Sequence, residues 1–278
     1  MDFTFLLDVL KESVVLTLTV IALMSAIEAF NFTSHGKMIE FLHGSKAGQI
    51  IFSALFGAIP GCVGGYFTVS LYSKKMFTFG ALLAMAVATT GDEAFVMLAM
   101  YPKTAVIIFL ALMVFGAACG FIYDRMGERY IDKDAADCDC VENEHGSDHK
   151  SLKHRLLHTL EHGLRIFLWT FCVMAIVEGA EQFVDLEAWV NNNTLLMIVL
   201  AALIGCIPQS GPHIAFVTLF ASGVLPLPVL LASCVSQDGH AGLPLIAASR
   251  KDFFRLKAVK LILAIGVGVL AMLFGFFC

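Results

Sequence analysis

Residues 57–65 read Gly-Ala-Ile-Pro-Gly-Cys-Val-Gly-Gly, inside an apolar run over residues 49–72. Residues 205–213 read Gly-Cys-Ile-Pro-Gln-Ser-Gly-Pro-His, inside another apolar run over residues 195–221. A continuous helix does not pass through either cluster. Proline removes a backbone donor and clashes one turn back, and each glycine adds a further penalty. Two more apolar runs carry polar breaks: Thr89-Thr90-Gly91-Asp92-Glu93 within 77–100, and Ser236-Gln237-Asp238-Gly239-His240 within 226–248. Broken backbone at membrane depth is tolerated only where it faces protein or a water-filled cavity, so these four breaks direct the search for function.

The surrounding composition places the chain in a bilayer. Of 278 residues, 58% are hydrophobic and 15% charged, against roughly half and a quarter in soluble domains. Residues 124–162 hold six Lys/Arg and ten Asp/Glu, 16 of the 41 charged side chains. The sequence therefore reads as a first membrane repeat over 1–123, a polar linker over 124–162 and a second membrane repeat over 163–278. A net charge of −5 without a basic stripe argues against a nucleic-acid partner. Cys62, Cys119, Cys172, Cys206 and Cys234 lie in apolar runs, where a free thiol packs as a small hydrophobe. The N-terminus lacks a basic leader region and is expected to remain as a membrane helix.

Residues 104–123 and 258–277 meet the requirement of about 20 apolar residues for a plain span. Residues 13–30 and 164–180 do so with one glutamate intruding in each. The halves echo one another: Glu28 and Glu178 are 150 apart, Gly57-x-Ile59-Pro60 and Gly205-x-Ile207-Pro208 are 148 apart, and Asp92 and Asp238 are 146 apart. Lys/Arg mark cytoplasmic loops, and they sit at 37, 46, 74, 75, through 125–165 and at 250–257. The assignment that satisfies them has both termini outside and the linker cytoplasmic. The Pro60 hairpin enters from inside and the Pro208 hairpin from outside; Lys103 is misplaced. The expected fold is an all-α membrane protein of two inverted-topology repeats. Each repeat has three crossings plus a re-entrant helical hairpin, with broken helices at the midplane. That arrangement is typical of secondary transporters.

Carboxylates inside a bilayer are costly and mark ion pathways or proton relays. Asp92, Glu93 and Asp238, beside Thr90, Ser236 and Gln237, offer oxygen donors for a hard or borderline cation, and His240 adds a nitrogen. Glu28 and Glu178 are candidates for completing that shell or carrying exchanged protons. The hairpin tips contribute Cys62, Gln209, Ser210 and His213, and helix starts after Pro60 and Pro212 would favour an anion. No Lys or Arg adjoins a break in the sequence, which weighs against an oxyanion. In the linker, Cys138, Cys140, His145 and His149 precede a histidine series that includes His158 and His162; Cys/His-rich tracts can bind metal. There is no Gly-x4-Gly-Lys-Ser/Thr loop for ATP and no Ser/His/Asp or His-Glu-x-x-His arrangement for hydrolysis, so no enzyme is expected.

The paired Gly-x-Ile-Pro tips, the Thr-Thr-Gly-Asp-Glu and Ser-Gln-Asp-Gly-His breaks and the His/Asp-rich linker resemble the ten-transmembrane-segment heavy-metal exporter family. The resemblance covers nearly the whole chain. Members of that family are labelled arsenic efflux proteins or manganese transporter-like permeases, so the resemblance implies export of a metal or metalloid from the bacterial inner membrane. The ligand types tilt this toward a divalent metal. No cofactor is expected beyond the transported ion; the partners are a small inorganic ion, the lipid bilayer and, where the protein self-associates, further copies in a homo-oligomer. Two alternatives stand beside it: an oxyanion or organic-anion transporter of the same fold, and a membrane metal sensor or scaffold acting through the linker.

Overall fold

The computed structural model describes residues 10, 11, 13, 14, 17, 18, 45–61, 63–73, 75–127, 164, 167, 168, 171, 172, 190, 192–207, 211–238, 245, 246 and 248–275. Every regular element among these residues is helical. The first group comprises α1 (Lys46–Gly57), α2 (Val63–Ser73), α3 (Phe79–Ala88), α4 (Glu93–Met100) and α5 (Pro102–Gly127). The second comprises α6 (Thr194–Gly205), α7 (Gly211–Ala221), α8 (Leu227–Ser236) and α9 (Arg250–Leu273).

Helix starts recur at one spacing. α6, α7, α8 and α9 begin 148 residues after α1, α2, α3 and α5, respectively. The first three pairs also match in length, at 12, 11 and 10 residues. This register alters one expected equivalence. Asp238 follows the end of α8 by two residues, as Thr90 follows the end of α3, so Asp238 corresponds to Thr90 and not to Asp92. The 146-residue match aligned like side chains, whereas the helix ends fix the backbone register.

Among the described residues, three stretches are long and apolar enough to cross a membrane: Phe79–Met100 with its internal break, Pro102–Met126 and Arg250–Leu273. The last begins eight residues before the expected span at 258, because the basic 250–257 segment is itself helical. Ser249 caps it, its side chain accepting from the Asp252 N–H. α1 and α2 are each too short to span: 12 and 11 residues reach about 18 and 16 Å, against about 30 Å of hydrocarbon.

Within each group the short helix before the break is central. Gly80 through Ala88 of α3 are all buried, and α3 packs against α1, α2 and α5. α8 is enclosed in the same way by α6, α7 and α9. Small residues permit this closeness, as they do between membrane helices generally. A Cβ on Gly57 would lie 2.6 Å from the Met85 carbonyl oxygen, and one on Gly205 would lie 2.3 Å from the Ser236 Cβ. Val106, Ile107, Leu110 and Val114 of α5 and Leu195, Leu196 and Leu203 of α6 face outward, as lipid-facing residues would.

Candidate functional site

The site begins where α3 stops. Thr89 is extended (φ −78°, ψ 136°), and Gly91 takes φ +59°, a backbone region closed to most L residues. The turn between α1 and α2 meets this break directly: Gly61, at φ +99°, donates its N–H to Gly91 O at 3.1 Å. α4 then restarts with Asp92 at its N-cap and Glu93 in its first turn. Asp92 and Glu93 are both buried, and Glu93 Oε2 has no hydrogen-bond partner among the described residues.

The second break mirrors the first. Gln237 is extended (φ −77°, ψ 154°) at the end of α8. Its Nε2 crosses to the other group and donates to Thr89 O at 2.9 Å. Stopping a helix frees its last carbonyls, and here side chains from the second group satisfy them.

Two lysines of α9 complete the site. Lys257 and Lys260 both donate to Asp238 Oδ1, Lys260 at 3.3 Å. Lys257 also reaches Gly205 O at 3.3 Å. Lys260 reaches Ala86 O and Gln237 O, each at 2.5 Å. The three charged groups are 2%, 6% and 0% exposed for Asp238, Lys257 and Lys260. Asp238 Oδ2 has no partner among the described residues. Glu93 lies within Coulombic range of Asp92, Lys260 and Asp238. A charge this deep is tolerable only when paired and hydrogen-bonded.

These lysines overturn the expectation that no basic residue approaches a break. They are distant from Asp238 in sequence and reach it because α9 lies along α8. The signal that could have found them is a helical stripe: Phe253, Leu256, Lys257, Lys260, Ala264, Gly268 and Ala271 share the buried face of α9.

The other expected residues divide into three sets. Thr90 is buried beside the break. Ser236 and His213 are buried but engaged within their own group: Ser236 Oγ donates to Ala202 O at 2.5 Å, and His213 Nδ1 lies 3.3 Å from Ser233 Oγ. His213 Nε2 has no partner among the described residues, and its ring lies within Coulombic range of Asp238 and both lysines. His240, Gln209, Ser210, Cys62, Glu28, Glu178, Cys138, Cys140, His145, His149, His158 and His162 lie outside the described residues. Among the described residues no group of three or more His, Cys, Asp or Glu side chains is arranged to hold a metal ion. Cys119, Cys172, Cys206 and Cys234 are free thiols.

A family model described as "Putative, 10TM heavy-metal exporter" matches the chain over residues 9–181 and again over 142–270. No curated protein and no solved structure matches it.

Proposed function

We propose, from the premise that this chain belongs to that ten-segment heavy-metal exporter family, that it is a secondary-active exporter of a divalent metal ion through a site at the two helix breaks. It is an integral membrane protein, with both the family and its long apolar helices as grounds. In the proposed arrangement it sits in a bacterial inner membrane as two inverted repeats, each with a re-entrant hairpin (α1–α2 and α6–α7). The linker is cytoplasmic, and no chemical transformation of the substrate is involved.

One observation carries the reading. Two buried carboxylates at the first break, Asp92 and Glu93, and one at the second, Asp238, flank the point where the two groups hydrogen-bond to each other, with Glu93 within Coulombic range of the other two. Carboxylate and freed carbonyl oxygens are the donors a hard cation takes. His240 and His213 would supply nitrogen for a borderline ion, with Thr90 and Gln237 as further oxygen donors. Glu28 and Glu178 would carry exchanged protons.

Alternating access needs a closure at each end of the pathway, and two contacts between the groups suit that role. Phe79 and Tyr101 bracket the broken span. At one end the Arg255 guanidinium lies 4.8 Å from the Phe79 ring centroid and 5.3 Å from that of Tyr123, with Asp252 beside the Tyr72 hydroxyl. At the other, the rings of Tyr101 and Phe220 meet edge-on with centroids 5.2 Å apart. Opening one contact while the other holds would expose the site to one side at a time.

The two buried ammonium groups favour a second reading, an anion carrier. Against it, Lys260 already donates to three oxygens and Lys257 to two. Sealed vesicles containing the purified protein, challenged with Mn²⁺, Zn²⁺, Fe²⁺, arsenite and phosphate, separate the two. Flux of a divalent metal that Asp92→Asn abolishes supports export of a cation. Flux of phosphate alone overturns it.

A further inference from the structure

The Lys260 ammonium is held as a protein holds a free cation. Its Nζ lies 2.5 Å from Ala86 O, 2.5 Å from Gln237 O and 3.3 Å from Asp238 Oδ1. Two backbone carbonyls and a carboxylate form an all-oxygen donor set that suits a hard ion. The carbonyls are available because α3 and α8 both end here, and the negative end of a helix dipole adds attraction for a cation at such a terminus. Ala86 comes from one group and Gln237 and Asp238 from the other, so the cage exists only where the two meet.

A second observation points to exchange at this position. Asp238 Oδ2 and Glu93 Oε2 are buried carboxylate oxygens with no hydrogen-bond partner among the described residues. Their residues are 2% and 1% exposed, and Glu93 lies within Coulombic range of both Lys260 and Asp238. Each is a buried acceptor with unused capacity within reach of the charges around the caged ammonium.

We propose that Lys260 is the resting occupant of a cation cage. An incoming hard divalent cation takes its place between Ala86 O, Gln237 O and Asp238 Oδ2, while Lys257 keeps Oδ1 and the ammonium passes to Glu93. The inference rests on the metal-export reading and narrows its substrate to oxygen-preferring ions such as Mn²⁺, over thiophilic ones. A lysine suits the part because its ammonium is a point charge on a flexible four-carbon stem. The ammonium has an acceptor in both positions, Asp238 Oδ1 before and Glu93 after, and Lys257 keeps Asp238 Oδ1, so neither ammonium is left buried without a partner. The exchange also moves an ion pair from the α9–α8 side of the interface to the α9–α4 side, so binding alters the contact between the groups. Until the ammonium leaves, the cage is closed, and the apparent affinity falls by the fraction of time it is open.

The test is Mn²⁺ binding by calorimetry to the full chain in lipid nanodiscs. Lys260→Met, which removes the competitor, is expected to tighten apparent Mn²⁺ affinity by about tenfold or more. Glu93→Gln is expected to weaken binding more in the native background than in the Lys260→Met background, where no ammonium needs a destination. Equal or weaker Mn²⁺ binding by Lys260→Met, or an equal Glu93→Gln effect in both backgrounds, overturns the exchange. If Lys260→Met does not fold, the native chain carries the test. Its lysine-¹⁵N to aspartate-¹³C correlation at Lys260–Asp238 should fade as diamagnetic, oxygen-preferring Ca²⁺ is added, and persistence at saturation refutes the proposal. A native chain that binds neither Mn²⁺ nor Ca²⁺ removes the export reading as well. A native chain that binds Mn²⁺ no more weakly than Lys260→Met removes the exchange alone.

Discussion

Gln237 Nε2 donates to Thr89 O at 2.9 Å, and the two residues are 148 positions apart, the same spacing that relates the paired helices. Each is the first residue after its helix, and each is extended. Two copies of one structural position touch only where the two groups face each other across the relation that pairs them. The two polar breaks therefore meet at one buried centre between the groups. The chemistry around that centre is unequal: opposite Asp238, Lys257 and Lys260 at the second break, the 148-residue register places Thr90, Phe109 and Leu112 at the first.

Gln237→Leu removes the donor that joins the groups and leaves the Thr89 carbonyl buried without it. An orphaned buried acceptor costs about 1–3 kcal/mol. The variant is expected to unfold at a lower temperature in detergent. Gln237→Glu should also be impaired, because a carboxylate cannot donate to a carbonyl. A melting temperature equal to that of the native chain would show that the contact does not hold the halves together.

Gly57→Ala tests the close approach of α1 to α3. The new Cβ would sit 2.6 Å from the backbone oxygen of Met85, which has no rotamer by which to retreat. Overpacking of this kind costs about 1–3 kcal/mol. Gly266→Ala on the exposed face of α9 meets nothing within 4 Å and is expected to be neutral or slightly stabilising, since alanine is the better helix former. Thermal unfolding of the two variants side by side checks the contrast.

Much of this fold could be read in the sequence because proline and glycine act locally. Gly57-x-Ile59-Pro60 and Gly205-x-Ile207-Pro208 stop helices wherever they occur, and α1 and α6 do end at those glycines. The Thr89–Asp92 break followed from the same reasoning. Lys257 and Lys260 fall on the apolar stripe of α9, but what brings that stripe to Asp238 is the packing of α9 along α8, a tertiary relation with no mark in the sequence around residue 238. The near match of Asp92 with Asp238 misled for a related reason: like side chains drew the alignment two residues away from the register set by the helix ends.

Asp238→Asn leaves two buried ammonium groups facing a neutral amide. Breaking a buried ion pair by removing one partner costs about 3–5 kcal/mol. A loss of metal tolerance in this variant could then reflect misfolding alone. Adding Lys257→Met removes one of the stranded charges, so the double variant is expected to be more stable than Asp238→Asn by itself. Thermal unfolding of the native chain, both single variants and the double completes the cycle. Additive losses would mean that Lys257 and Asp238 do not depend on one another.

Tyr101 and Phe220 offer the most direct probe of motion. Phe220 is 148 residues after Tyr72, so the register pairs the aromatic contact at one end with the Tyr72–Asp252 contact at the other. Both place the end of a short helix, α7 or α2, against the start of the opposite group's long helix, α5 or α9. If the ends open in turn, a covalent tie at either should stop transport while leaving the opposite end free to open. Cysteines at 101 and 220, in a background with the native cysteines replaced, can be joined by a short cleavable thiol cross-linker. Metal flux in vesicles should fall to the level of protein-free vesicles on cross-linking and return on cleavage. Undiminished flux through fully cross-linked protein would mean that this end does not move during the cycle.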